Sequence, residues 1–207
     1  MNRTSRVAGT RESILLTAER LFAEHGVAAV SNRQISEAAG QGNNAAVGYH
    51  FGSKADLVRA IVRRHGEPME RIRRELLAEH GGSTELRDWV ACVVRPFTDH
   101  LVALGDPSWY ARFAAQVMTE PHLRQLAAVE LRDAPMLRAV TDGLHRCLPD
   151  LSPRVRLERD DMAYTLLVHF CAQRERTAEP DWPAATTGLI DAIEGLYRAQ
   201  QSQLFGQ

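Results

Sequence analysis

Between Arg11 and Glu24 the apolar residues Ile14, Leu15, Ala18, Leu21 and Phe22 recur at intervals of three and four, which predicts a helix with one buried face. Gly26 suits the position that ends such a helix with positive φ. Ser31-Asn32-Arg33-Gln34 predicts a second helix, the Ser31 hydroxyl capping the Gln34 amide while the Gln34 side chain reaches back. Gly40 and Gly42 keep that helix short, and beyond them Asn43 or Asn44 is placed to cap a third, running from Ala45 through His50 and closed by Phe51-Gly52. Ser53-Lys54-Ala55-Asp56 opens a fourth in the same capping style, with Leu57, Ala60 and Ile61 and later Ile72, Leu76 and Leu77 on its apolar face. Pro68 predicts a kink or break in it near Gly66.

After Gly81-Gly82-Ser83, a fifth helix is expected from Thr84 to about Leu104, carrying Trp89, Val93, Val94, Phe97 and Leu101. Asp106-Pro107 has the form of a start signal, aspartate at the N-cap and proline first in the helix, for a segment through Trp109, Tyr110, Phe113 and Val117. Helical pattern with less distinct bounds runs from Pro121 to Leu148. Ser152-Pro153 opens a further helix through Met162, Leu166, Leu167 and Phe170, and the last spans roughly Thr186 to Gln201. No alternating apolar run competes as a strand, so the expected fold class is all-α, with about nine helices.

The chain of 207 residues has room for one small and one large domain, and the pattern divides into a compact three-helix segment over residues 1–57 and a helical bundle over residues 58–207. The formal net charge of -1 confines any nucleic-acid contact to a local patch. The polar opening residues and the absence of a long apolar run make the cytoplasm the expected compartment and a membrane an unexpected partner. Cys92, Cys147 and Cys171 are widely spaced in apolar pattern and read as buried thiols. Neither a metal site nor a cofactor is suggested. The chain has no HExxH, GxSxG, phosphate loop or full GxGxxG, so no enzyme is expected.

Two short helices joined by a glycine-containing turn form a helix-turn-helix pattern. Ala38-Ala39-Gly40 followed by Val47-Gly48-Tyr49-His50-Phe51-Gly52-Ser53-Lys54-Ala55-Asp56-Leu57 resembles the signature of the tetracycline-repressor (TetR) family, and Ala18, Leu21, Phe22, Gly26 and the Ser31 cap match its spacing upstream. The chain departs from that pattern by one extra residue between Ala39 and Phe51, and Gly48 stands where the family often carries an aromatic, with Tyr49 its neighbour. The resemblance implies a DNA-binding transcriptional regulator, a repressor released from a palindromic operator by a small-molecule effector. A major groove admits an α-helix, and Ala45, Ala46 and Gly48 keep the third one thin.

The same resemblance makes Asn43, Asn44 and Ala45 the start of the reading helix and places Tyr49 and His50 near phosphates. Lys54 joins its charge to helix N-terminal amides, Arg33 lies within reach of a base or the backbone, and Ser31 caps the preceding helix. Competing structural readings make Tyr49 a core aromatic, Arg3, Arg6 and Arg11 a disordered arm or a minor-groove tail, and Arg59, Arg63, Arg64, Arg71, Arg73 and Arg74 a solvated face. The larger domain is implied to bind the effector, with Trp89, Phe97, His100, Trp109, Tyr110, Phe113, Met118 and His122 as candidate lining. A homodimer is implied through the segments at about Pro153 to Arg176 and Thr186 to Gln201. The alternative is a helical protein-interaction module without sequence-specific DNA binding.

Overall fold

A computed structural model describes residues 3–43 and 45–200, with side chains from residue 7 onward. The described residues contain no strand and form ten helices: α1 Arg3–His25, α2 Asn32–Ala38, α3 Ala46–Phe51, α4 Lys54–His80, α5 Leu86–Leu104, α6 Tyr110–Thr119, α7 Pro121–Arg132, α8 Pro135–Arg146, α9 Pro153–Arg174 and α10 Trp182–Arg198. The region of indistinct pattern resolves into α7 and α8, each with proline in its first turn. One apolar core runs from Ile14 on α1 through Trp89 and Phe113 to Tyr197 on α10. Within it α1 packs on α6, α4 on α5, α7 and α8, and α9 on α6 and α10.

Local signals operate as the residues dictate in the first third of the chain. Gly26 has φ of 84° and lies against α6, where a Cβ would stand 3.3 Å from Gln116 Oε1. Capping boxes close at Ser31 with Gln34 and at Ser53 with Asp56. The hydroxyl and amide of Ser53 hold the Asp56 carboxyl below its ordinary range.

Three expected helix bounds are corrected, of the kink or break expected at Pro68 the break does not occur, and one of the three thiols expected to be buried is not. The helix predicted from Arg11 begins at Arg3, so the backbone of Arg3 and Arg6 belongs to α1. α4 continues through Pro68 without a break, because Val58, Ile61 and His65 before the proline and Met69, Arg73 and Leu76 after it are all buried by tertiary packing. α6 does not start at Asp106-Pro107, which is a cis peptide, but at Tyr110. Its first amides are received by a distant carboxylate: Glu175, after α9, accepts from Ala111 N at 3.1 Å, Arg112 N at 2.9 Å and Ser108 Oγ at 2.5 Å. The last helix begins earlier than expected because Asp181 caps Ala184 N at 3.0 Å; Gln201, its expected end, lies outside the described residues. Cys92 and Cys171 are buried, and burial pushes their thiols up to about 11 and about 12, whereas Cys147 is only half-buried.

Candidate functional site

The turn between α2 and α3 is built on Gly40, whose φ of 68° lets the chain reverse while Gln41 N donates to Ser36 O at 2.9 Å. Asn43 then holds the start of α3 from outside it, accepting from Ala45 N on its side-chain oxygen at 2.9 Å and from Ala46 N on its carbonyl at 3.0 Å. Asn44, the other expected cap, lies outside the described residues. On α3 itself Ala46 and Val47 are buried and anchor the helix, while Gly48 and Tyr49, with Ala45 just before them, face outward. Tyr49 is 79% exposed, which excludes the core-aromatic reading, and His50 packs edge-on against it at 5.0 Å.

Cations flank this face. Arg33 is exposed and bonded to Glu37 at 2.7 Å, Ser31 is exposed at the α2 cap, and Arg11 stacks over Phe51 at 4.7 Å. Lys54 sits in the first turn of α4, where its Nζ donates to Val27 O at 3.0 Å and ties α4 to the segment preceding α2.

A cavity of about 900 Å³ opens in the larger bundle. Of the candidate lining residues, Phe97, Tyr110, Phe113 and Met118 line it and four do not. Trp89 is packed against α8, where a Cβ on Gly143 would stand 2.1 Å from its ring, and its indole N–H donates to Ser83 O at 3.0 Å. His100 is bonded to His65 behind the cavity wall, Trp109 is covered by the Arg112 guanidinium at 4.2 Å, and His122 is exposed. Sequence reasoning missed Met69 and Arg73 on α4 and Tyr164 on α9, which do line the cavity. The arginine series is no uniform solvated face: Arg73 is 6% exposed, Arg59 and Arg63 hold Glu130, and Arg64 holds Glu12 on α1.

Residues 14–61 match the family model of bacterial regulatory proteins of the tetR family, and residues 91–196 match that of the tetracyclin repressor-like C-terminal domain. The chain belongs to the TetR family. Two curated relatives are each described as the HTH-type transcriptional repressor AcnR. That of Corynebacterium glutamicum is 29% identical over 151 residues and that of Corynebacterium efficiens 30% identical over 152, in each case 73% of this chain and 65% of the relative. The match therefore spans just under two-thirds of those relatives' length. The solved structure of the TetR family transcriptional regulator PfmR from Thermus thermophilus shares the fold, with a TM-score of 0.59 at 19% identity over 93% of this chain and 98% of that one.

In this TetR-family chain a buried polar cluster joins the helix-turn-helix to the cavity wall. The His65 Nε2–H on α4 donates to Glu19 Oε2 on α1 at 2.8 Å, and His65 Nδ1 shares a 2.8 Å hydrogen bond with His100 Nε2 on α5. Tyr110, a cavity residue, stacks on His65 at 3.9 Å, and Phe113, also in the cavity, stacks on Phe22 of α1 at 6.2 Å. All three polar residues are buried, so each depends on the others for its hydrogen bonds. Among the described residues, no helix is long and apolar enough to cross a membrane.

Proposed function

We propose that the protein is a homodimeric, cytoplasmic DNA-binding repressor, not an enzyme, released from a palindromic operator when a small molecule fills the cavity. The observation that carries this reading is the outward face of α3, thin at Ala45 and Gly48 and bearing a tyrosine exposed over 79% of its surface. An exposed tyrosine offers an apolar ring to a groove wall and a hydroxyl to a phosphate. In this reading Asn43, Asn44 and Ala45 open the reading helix, Tyr49, His50 and Lys54 meet phosphates, Arg33 approaches from α2, and Ser31 holds α2 in register. That the relatives are HTH-type transcriptional repressors supports repression as the direction of control.

The remaining assignments follow from the bundle. Residues 1–57 read DNA; residues 58–207 bind the effector and dimerise. α9 buries Ala163, Leu167 and Val168 yet also exposes Met162 and Leu166, which lie one turn apart on an outward face. Beside it α10 exposes Ala184, Gly188, Ala192 and Gly195, small residues at helical spacing that let a partner helix approach closely. Two copies joined through α9 and α10 present two α3 faces to successive major grooves. A ligand that moves Tyr110 or Phe113 acts directly on His65 and Phe22 and through them on α1.

The test is a fluorescence-anisotropy titration of the full chain against the duplex flanking its own gene and a scrambled duplex, at several salt concentrations. Preference for the flanking duplex by about 10³ or more, with affinity falling steeply as salt rises, is the expected result. Equal binding to both duplexes would contradict it and leave the interaction-module reading standing.

A further inference from the structure

Arg73 combines a permanent charge with burial at the cavity wall. It is a permanently charged group, 6% exposed, and it lines the cavity. Its Nη1 donates to Glu70 Oε1 at 2.9 Å, but its Nε is buried with no hydrogen-bond partner. Burying a permanent charge is costly unless it is paired, and Glu70 is the carboxylate bonded to it.

Glu70 is a shared counterion. The same carboxylate receives the first amides of α8, Met136 N at 2.9 Å and Leu137 N at 3.2 Å, so its oxygens are divided between capping a helix and facing Arg73. The other carboxylates on the wall are committed elsewhere. Asp160 accepts from Tyr197 Oη at 2.6 Å and pairs with His145 at 2.9 Å, Glu130 holds Arg59 and Arg63, and Asp161 pairs with Arg124. Glu67 and Asp133 are exposed. Tyr110 and Tyr164 line the same cavity; burial pushes both phenols up while the Arg73 cation opposes that rise, so both are protonated and lie within the field of Arg73.

We infer that the cavity takes an amphipathic carboxylate whose head group pairs with the Arg73 guanidinium and whose apolar body lies along Met69, Val93, Phe97, Phe113, Val117 and Leu144. This rests on reading the cavity as the effector site and adds the chemical class of the effector. A carboxylate supplies a second counterion to a guanidinium whose bonded carboxylate, Glu70, is shared with the α8 amides. A cationic ligand meets Arg73 as a like charge, and a wholly apolar one leaves the shared Glu70 as its counterion. The volume of about 900 Å³ holds a ligand far larger than the head group alone, and the six named apolar side chains match a hydrocarbon or aromatic body.

Isothermal titration calorimetry of the full-length protein with decanoate and with decanol, its uncharged counterpart, tests the inference. Decanoate is expected to bind once per chain, at least about tenfold more tightly than decanol. Arg73→Met is expected to bring decanoate down to the affinity of decanol without changing decanol, and Arg73→Lys, which keeps a cation beside Glu70, to retain part of the preference. Equal affinities in the wild type, a preference that survives Arg73→Met, or no binding of either probe would overturn the inference. The wild-type comparison decides even if Arg73→Met does not fold. Repeating the anisotropy titration with decanoate present separates the two claims: Arg73-dependent binding that leaves DNA affinity unchanged removes the effector role and keeps the ligand class.

Discussion

Gly143 shows how a single residue positions two helices. The ring of Trp89 occupies the place where its Cβ would be, 2.1 Å from Cζ3, so α5 and α8 meet only because that atom is missing. Gly143→Ala must displace a fully buried indole from its bond to Ser83 O, and overpacking of this kind costs roughly 1 to 3 kcal/mol. Urea unfolding is expected to show a lower midpoint with an unchanged slope; an equal or higher midpoint contradicts the packing described. Trp89 illustrates what sequence leaves open at this scale, since its spacing on α5 marks a buried aromatic without distinguishing a core position from a cavity wall. Arg73 is the converse case. In a run of arginines it reads as solvated, and only tertiary packing decides that this one long side chain turns inward. Ser31 and Ser53 were legible because a capping box closes within four residues.

At the scale of elements, the same distinction separates the helices whose bounds follow from sequence from those whose bounds do not. α2 and α4 start where their capping boxes place them, and α3 starts at Ala46 behind Ala45, which has no side-chain cap, whereas α6 starts where Glu175 receives its amides from across the bundle. No pattern near Asp106-Pro107 carries that information. Glu175→Ala leaves Ala111 N, Ser108 Oγ and the Arg112 guanidinium without their buried acceptor, and is expected to destabilise the fold by roughly 2 to 4 kcal/mol in denaturant unfolding. A change within error contradicts the cap. α10 supplies a second prediction. A Cβ at Gly188 meets nothing within 4 Å, and leucine exceeds glycine in helix propensity by somewhat under about 1 kcal/mol, so Gly188→Leu does not harm the isolated subunit. If α10 faces its counterpart in a dimer, the leucine blocks close approach, and sedimentation velocity is expected to report a monomer with unchanged helical content. A dimer of wild-type stability contradicts this placement of the interface.

For the whole molecule, the feature of most consequence is the continuity between the helix-turn-helix and the bundle. The boundary expected near residue 57 falls inside the unbroken α4, and Glu19, His65, His100 and Tyr110 bind α1, α4, α5 and α6 to one another there. The fold class and the three-helix segment were legible from periodicity and capping. This joint was not, because its members come from four helices and none carries a local signal. Burial, reinforced by His65 and by the Arg64 and Arg71 cations, lowers His100 from 6.5 to about 4. The unfolded chain thus binds a proton near pH 6.5 that the folded chain refuses until about pH 4. Stability is expected to hold above pH 6.5 and to fall through the interval below it, by at most about 3 kcal/mol from this group. Urea unfolding of wild type and His100→Gln between pH 7 and pH 4.5 checks it: the fall is expected to be shallower in the variant, and parallel curves contradict the assignment.

The central claim is that the exposed face of α3 meets DNA, and Tyr49 is its most direct probe, because a side chain exposed over 79% of its surface can be removed without disturbing the core. Anisotropy titrations of wild type and Tyr49→Ala on the duplex flanking the gene, with unfolding midpoints measured alongside, separate the face from the fold. The account predicts affinity reduced roughly tenfold or more at an unchanged midpoint. Undiminished affinity in Tyr49→Ala would contradict it.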